Sequence, residues 1–242
     1  MTRVNIQGVP VDSIPPGELM SAIERLHKRG NATVSYANVH VINQAQDTPE
    51  LRQFLHEASL VYCDGNGVRL GARITGQNLP PRNTGADWIW DLAAEAEGKW
   101  RIFWIGGKPG VAEEAARTLT EAFPKLAIQT DHGFHERSGP ADSACIDRIN
   151  AFEPDIVLVG MGTPEQERWV QQRRTVLNAP LVWCIGATAD VVAGRVSRGP
   201  DWLVARAEWV ARLSQDPVRL WRRYLLGNPA FVLRALKQRF ND

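Results

Sequence analysis

The sequence predicts an α/β fold: a Rossmann-like parallel sheet with helices on both faces, a short N-terminal hairpin and a basic helical C-terminal appendage. Apolar runs without polar alternation recur between residues 30 and 194 and are separated by helix-like segments, as in parallel strands buried on both faces. Residues 195–242 then carry ten Arg or Lys and four Asp or Glu, a net charge of +6 in a chain of net charge +1. We therefore predict a core of residues 1–194 and an appendage of residues 195–242.

The predicted strands follow from local patterns. The segment "VNIQGVPVD" alternates apolar and polar residues and turns at Gly8, which predicts the hairpin. Short apolar runs predict the strands of the parallel sheet, at 33–37, 59–63, 101–106, 126–131, 155–160 and 181–186.

The predicted helices lie between these strands. Thr84 and Asp87 form a capping-box pattern for a helix over 85–97. Thr163 as N-cap and Pro164 at the first helical position predict another over 164–178. Further helices are predicted over 110–122 and 141–152.

Three helices are predicted in the appendage. The first spans 201–213 and carries an apolar stripe that includes Trp202, Ala205 and Trp209. The second begins at Asp216-Pro217 and ends at Gly227, and the third begins at Asn228-Pro229.

Composition excludes several classes of protein. A chain of 242 residues with 44% apolar and 23% charged residues fits one α/β domain with an appendage and a substantial core. The three cysteines, Cys63, Cys145 and Cys184, are too widely spaced for a zinc site or a redox pair. The N-terminus has no apolar region typical of a secretory signal, and no run approaches the roughly 18 apolar residues of a membrane span.

The segment "LVYCDGNGV" places Asp64 directly after a predicted strand. In doubly wound folds, ligands bind beyond the carboxyl ends of the strands, so Asp64 is a candidate catalytic residue. Gly65 and Gly67 would permit close approach of a ligand, although a lone G-x-G is a weak signal. An Asx turn or a helix N-cap accounts for Asp64 equally well at this point.

Two later strand ends carry further candidates. In "VGMGTPEQERW", interaction with the helix dipole accounts for the acids of the first turn but not for Gln166. In "IGATADVVAG", Gly186 and Thr188 are positioned to line a ligand, or to form an ordinary strand-to-helix turn. His132 and His135 lack a third metal ligand at useful spacing.

Two absences bear on phosphate and metal chemistry. "GGKPG" at 106–110 lacks the ending of a P-loop, so a turn is the better interpretation. The missing D-x-D argues against a divalent cation that holds a nucleotide diphosphate.

Arginine and tryptophan are concentrated in the appendage. Arg219, Arg222 and Arg223 fall at i, i+3 and i+4, so a helix places them on one face. With the neighbouring tryptophans this pattern suits phosphate and a membrane headgroup region, or single-stranded nucleic acid, better than a simple solvated face.

Taken together, the motifs resemble the bacterial WecG/TagA/CpsF glycosyltransferase family. The resemblance extends from "GVPVD" to "RLWRRY" and is carried by the order and spacing of five segments: "DGNGV", "RNTGAD", "GTPEQERW", "GATADVVAG" and "AEWVARLSQDPVRLWRRY". It implies an inverting transfer of a sugar from a UDP-sugar to a polyprenyl-diphosphate-linked saccharide at the inner face of the cytoplasmic membrane, in the synthesis of bacterial surface polysaccharides.

The resemblance also implies residue roles. Asp64 matches the aspartate that serves as the family's catalytic base. The resemblance implies substrate-binding positions at Asn38, Gly65, Arg82, Gln166, Arg212, Arg219 and Arg222. The strand-end argument adds Gly186 and Thr188 to this set. Departures occur at Tyr36, at Ala187 and Ala189, and at Gly199, and they bear on the donor sugar more than on the reaction.

These implications define the expected partners. We expect a UDP-sugar, a lipid-linked acceptor and the anionic inner leaflet as partners, no metal cofactor and no nucleic acid. The donor sugar, the acceptor and the oligomeric state, including a homo-oligomer, stay open.

Two alternatives are kept. A dinucleotide-dependent oxidoreductase shares the fold, although no G-x-G-x-x-G follows the first strand. A basic-tailed nucleic-acid-binding module accounts for the appendage but gives Asp64 and Gln166 no role.

Overall fold

A computed structural model describes residues 2–197, residue 199 and residues 209–241, and it confirms the α/β prediction. The predictions for Trp202 and Ala205 fall outside these residues. The strands are ordered β1-β2-β4-β3-β8-β7-β5-β6. Their bounds are β1 Arg3–Ile6, β2 Val9–Asp12, β3 Ala32–Ala37, β4 Leu60–Cys63, β5 Arg101–Gly106, β6 Ala127–Asp131, β7 Ile156–Gly160 and β8 Leu181–Cys184.

Helices connect most of the strands, as predicted. In the order of the chain they are α1 Pro16–Arg29, α2 Val39–Asp47, α3 Pro49–Glu57, α4 Asn66–Ile74, α5 Gly85–Ala96, α6 Val111–Ala122, α7 Pro140–Ala151, α8 Glu165–Arg173, α9 Thr188–Val192, α10 (209–215), α11 Pro217–Trp221 and α12 Gly227–Asn241. Within the described part of the chain, no helix is both long and apolar enough to cross a membrane.

The described residues form two compact units. The first unit takes its residues from 1–16, 36–84 and 194–242, and the second consists of 17–35 and 85–193. The predicted division into residues 1–194 and 195–242 remains a prediction.

The first unit contains the predicted N-terminal hairpin. β1 and β2 are antiparallel, and β2 runs parallel to β4 with Asp12 opposite Tyr62. Gln7 and Gly8 both have positive φ, 52° and 81°, as a two-residue hairpin turn of the right twist requires.

The second unit is built on parallel pairs. β5 lies between β6 and β7, and β8 pairs with β7 and with the first residues of β3. Trp104, Trp169 and Trp183 are among its largest fully buried side chains, and Trp88 stacks on Trp183 at a centroid distance of 3.9 Å. β5, β7 and β8 are buried along nearly their whole length, as the sequence predicted, whereas β6 is a largely exposed strand at the edge of the sheet.

Helix α8 begins differently from the prediction. Its N-cap is Pro164 rather than Thr163, and it ends at Arg173, well before residue 178. The hydroxyl of Thr163 instead donates a hydrogen bond to Oε1 of Glu167 at 3.0 Å. A side-chain partner one turn into the helix thus replaces the backbone N–H that an N-cap would accept from.

The C-terminal helices are present but more continuous than predicted. Asp216 caps α11 by accepting from the backbone N–H of Arg219. A π-helical turn over Arg222–Leu226 then leads directly into α12, without the predicted break at Gly227. The wider π turn accommodates Pro229, which has no N–H to donate, within the first turn of α12.

Candidate active site

Asp64 lies immediately after β4, at the carboxyl end of the strand, as the sequence predicted. Its backbone N–H donates to the carbonyl of Ala37 at 2.8 Å, and the N–H of Asn83 donates to the carbonyl of Cys63 at 2.8 Å. The backbone on both sides of the strand end is thus fixed by neighbouring segments, which gives the Asp64 side chain a defined position.

Asn38 orients this carboxylate. It is the N-cap of α2, where its Oδ1 accepts from the backbone N–H of Val41 at 3.0 Å. Because that bond commits the amide oxygen, the Nδ2 group faces Asp64 and donates to its Oδ2 at 3.3 Å. One asparagine therefore both begins a helix and holds the candidate base.

Gly65 and Gly67, the two glycines after Asp64, meet different structural requirements. Gly65 adopts φ 139° and ψ 145°, a conformation that strains any residue with a side chain. A Cβ at Gly67 would lie 2.5 Å from Cγ2 of Val39, so this glycine permits the start of α4 to pack against α2. The close approach that Gly67 permits is therefore that of Val39, and the approach of a ligand to this glycine stays a prediction.

Asp64 opens into a cavity of about 330 Å³ in the first unit. Three arginines line it: Arg82 from the loop after α4, Arg212 from α10 and Arg223 from the π turn. The other described lining residues are Asn38, Val39, His40, Gly65, Asn66, Gly67, Leu70, Trp209, Tyr224, Asn228, Phe231 and Val232. Its volume is at the small end of the range of about 300–1,000 Å³ for ligand pockets.

The ionisable neighbours of Asp64 leave the cavity cationic. Burial raises the pKa of the Cys63 thiol to about 12, and the charge of Asp64 adds to the shift. Burial and the charge of Arg223 lower the pKa of His40 to about 4. Both groups are therefore neutral near neutral pH. The three arginines against the one carboxylate leave a net charge of +2 on the described lining, which suits a polyanionic ligand.

The predicted substrate residues of the first unit separate into two groups. Asn38, Gly65, Arg82 and Arg212 line the cavity together with the candidate base. Arg219 and Arg222 are not among the lining residues.

Both of these arginines have local partners instead. The Nε of Arg219 lies 2.6 Å from Oδ2 of Asp216, and the guanidinium of Arg222 lies over the ring of Trp221 at 5.3 Å. Arg223, to which the resemblance gave no role, lines the cavity instead. The sequence placed Arg219, Arg222 and Arg223 on one helical face, and no local pattern distinguishes the arginine that lines the cavity from the other two.

The predicted residues of the second unit meet at two loops. Gln166 is fully buried, and its Oε1 accepts from the backbone N–H of Gly186 at 3.0 Å. Thr188 donates from its hydroxyl to the carbonyl of Ile185 at 2.7 Å. Gln166 therefore joins the first turn of α8 to the β8–α9 loop.

Glu167 is a buried acid beside Gln166 that the sequence interpretation missed. Its Oε1 accepts from Nε2 of Gln166 at 2.6 Å, while its Oε2 has no hydrogen-bond partner among the described residues. Burial raises the pKa of Glu167 from an ordinary 4.5 to about 7. The motif offered a signal, because the glutamate directly follows the glutamine in "PEQERW".

The two histidines of "HGFH" have local surroundings of their own. His135 lies 3.5 Å from Asp142 through its Nε2, and Asp142 also binds Trp169 and Arg173. Within the described residues, no group of three His, Cys, Asp or Glu side chains is arranged to hold a metal ion.

Comparison with known proteins identifies the family. A model of the family described as "Glycosyl transferase WecG/TagA/CpsF family" matches residues 4–242. Proteins of Staphylococcus aureus strains MW2, NCTC 8325 / PS 47 and COL, each named N-acetylglucosaminyldiphosphoundecaprenol N-acetyl-beta-D-mannosaminyltransferase, are 25% identical to the chain over 240 residues. The alignments cover 97% of this chain and 92% of each relative. The motif-based resemblance is confirmed, and the matches support neither the oxidoreductase nor the nucleic-acid-binding alternative.

Proposed function

Because the chain belongs to the WecG/TagA/CpsF family of glycosyl transferases, we propose that it moves a sugar from a UDP-sugar to a saccharide linked to a polyprenyl diphosphate, with inversion at the transferred carbon. The observation that carries the proposal is the cavity in which Asp64, held by Asn38, faces three arginines. Such a transfer needs a single base and positively charged groups around it.

The acceptor class is supported by the names of the relatives. The staphylococcal proteins are named for a transfer to N-acetylglucosaminyl diphosphoundecaprenol, an anionic diphosphate with a prenyl chain. A diphosphate diester carries one negative charge on each phosphate, and the +2 charge of the cavity lining complements it. The donor sugar of this chain stays open, since Tyr36 departs from the family motif.

The chemistry needs one base. Asp64 removes the proton from the acceptor hydroxyl as that oxygen attacks the anomeric carbon of the donor, and the bond to UDP breaks on the opposite face. A glycosidase would need a second carboxyl as acid. UDP departs as an anion, so positive charge and helix N-termini can stabilise it without a proton donor.

We propose residue roles on the same basis. Arg82, Arg212 and Arg223 hold the acceptor diphosphate, because they share the cavity with the base. Arg219 and Arg222, and the Gln166, Gly186 and Thr188 cluster of the second unit, remain predicted substrate contacts. In this scheme the departing UDP is stabilised by Arg219 and Arg222, so no metal ion is needed.

The proposal is tested by Asp64→Asn, which keeps the shape of the side chain and removes the base. We expect turnover to fall by about 10²–10⁴ while UDP binding is unchanged. Transfer to a lipid-linked acceptor is measured with a panel of UDP-sugars, and the assay contains EDTA, in which the wild type is expected to stay active.

The matched control is Asp47→Asn, which neutralises an exposed acid at the end of α2 outside the cavity. It should leave turnover unchanged. Near-wild-type turnover of Asp64→Asn would remove Asp64 from the mechanism. Loss of transfer in EDTA, restored by a divalent ion, would contradict metal independence alone.

A further inference from the structure

The cavity of Asp64 has an apolar wall as well as a charged lining. Leu70 of α4, Trp209 of α10 and Val232 of α12 all line it, as do Tyr224 and Phe231. Leu70 is 49% exposed and Trp209 is 38% exposed, so the apolar wall of the cavity is accessible to solvent. A single exposed leucine needs no explanation, but large apolar side chains from three helices around one cationic cavity do.

Part of this wall already has a structural role. A Cβ at Gly71 would lie 2.6 Å from Cζ of Phe231, so the phenylalanine is packed into the space that the glycine leaves. Phe231 is fully buried as a result. The apolar surface that remains accessible in the cavity belongs chiefly to Leu70 and Trp209.

The cavity lining therefore suits a ligand that combines an anionic group with hydrocarbon. A free sugar or inorganic phosphate would leave the apolar wall against water. A prenyl diphosphate has hydrocarbon directly attached to its charged group, which matches arginines and apolar side chains in the same cavity. Val210, Trp221 and Leu225, which are close in sequence to the lining residues Trp209 and Tyr224, are also exposed apolar residues.

We propose that Leu70, Trp209 and Val232 form a subsite for the isoprene units next to the acceptor diphosphate, so that the enzyme recognises the lipid as well as the head group. This inference rests on the proposed function. It makes acceptor affinity depend on the first isoprene units themselves, separately from any attraction of the protein to a membrane.

The test compares two synthetic acceptors that share N-acetylglucosaminyl diphosphate. One is esterified to farnesol and the other to propanol, and both are assayed with saturating donor, without detergent or vesicles. We expect the wild type to show a KM for the farnesyl acceptor that is roughly tenfold or more below that for the propyl acceptor, as burial of isoprene units would give.

Two variants locate the subsite. Leu70→Ser and the near-isosteric Val232→Thr should each raise the KM for the farnesyl acceptor by roughly tenfold or somewhat less, and change the KM for the propyl acceptor less than about twofold. Val218→Ser is the control, because Val218 is 87% exposed and does not line the cavity. It should change neither KM.

The alternatives give different results. Equal wild-type KM values for the two acceptors would overturn the subsite while leaving the proposed function intact. In a separate titration of the UDP-sugar at saturating acceptor, a rise in the KM for the UDP-sugar alone in Leu70→Ser would show that the wall binds the donor base instead. Transfer to neither acceptor by the wild type would overturn the subsite together with the proposed acceptor class.

Discussion

Single residues at this site are fixed by different physical demands, even within one motif. Asp64 and Gly65 are set by position and backbone conformation, whereas Gly67 is set by the side chain of Val39. From the sequence, the motif can be located and Asp64 singled out, because an acid after an apolar run is a local pattern. The reason for each glycine depends on a contact with another segment, and no local pattern contains it.

Glu167 shows what burial does to one ionisable residue. It is 1% exposed, and the hydrogen bonds from Gln166 and Thr163 do not offset the loss of water around its charge. The folded protein therefore holds a proton on Glu167 between about pH 4.5 and pH 7 that the unfolded chain releases. Stability falls as the pH rises through that window, and the loss is complete above about pH 7.

Glu167→Gln should remove this dependence. Between pH 4.5 and pH 7.5, the free energy of unfolding of the variant should rise by up to about 3 kcal/mol relative to that of the wild type. Urea unfolding at a series of pH values measures it. Glu121→Gln, at an exposed position of α6, is the control and should show little change. A pH-independent difference for Glu167→Gln would mean that the carboxyl titrates normally.

At the scale of secondary-structure elements, the N-terminal hairpin holds the last helix of the chain. Gln7, in the hairpin turn, donates from Nε2 to the carbonyl of Phe231 at 2.8 Å and accepts at Oε1 from Nε of Arg234 at 2.9 Å. Its backbone N–H donates to Gln238 at 2.8 Å. Arg234 also binds Asn43 of α2. The turn thus fixes α12, whose Phe231 and Val232 line the cavity.

We expect Gln7→Gly to loosen α12 without disturbing the turn, since glycine accepts the positive φ of this position. Two side-chain hydrogen bonds are lost, one of them to a charged donor, which costs about 1–3 kcal/mol locally. Hydrogen exchange of the α12 amides should accelerate by roughly tenfold or more, as mass spectrometry of that segment can show.

Gln53→Ala is the matched control, because Gln53 bonds only to the exposed Glu57 one turn along α3 among the contacts described. Unchanged exchange of α12 in Gln7→Gly would show that the packing of Phe231 alone holds the helix.

The contact between the hairpin turn and α12 could not be predicted from the sequence. The hairpin and the C-terminal helices were predicted from turn residues and capping patterns, which are local. The bond from Gln7 to Phe231 joins residues 224 positions apart, and it leaves no trace in either segment's own pattern. The selection of Arg223 for the cavity has a similar origin, since segments of the first unit that lie far apart in the sequence form the cavity together.

At the scale of the whole molecule, charge is divided unevenly along the chain. The +6 of residues 195–242 leaves about −5 for the remainder. The described C-terminal residues also expose large apolar side chains, among them Val218, Leu226, Leu233 and Phe240. Basic and exposed apolar residues on the same helices are typical of proteins that bind a membrane surface without crossing it.

The C-terminal segment is also part of the packed protein. Tyr224, Phe231 and Ala235 are buried, so deletion of residues 195–242 would remove side chains from the core and the cavity wall along with any membrane contact. Substitution of exposed residues is therefore the sharper test of membrane binding.

We propose that the C-terminal helices attach the protein to the anionic inner leaflet, where the lipid-linked acceptor would lie. Each basic residue near such a surface contributes up to about 1 kcal/mol, and this attraction is screened as salt shortens the Debye length from about 10 Å at 0.1 M. Binding to vesicles rich in anionic lipid should therefore weaken by at least about tenfold on going from roughly 0.05 M to 0.5 M salt, as measured by flotation.

The combined variant Val218→Ser, Leu226→Ser and Leu233→Ser, which leaves every charge in place, should bind more weakly at all salt concentrations. Phe134→Ser serves as the control, because Phe134 is an apolar side chain of the second unit that is 65% exposed, and this variant should bind as the wild type does. Equal binding to neutral and anionic vesicles, insensitive to salt, would show that the basic residues of the appendage serve only the cavity.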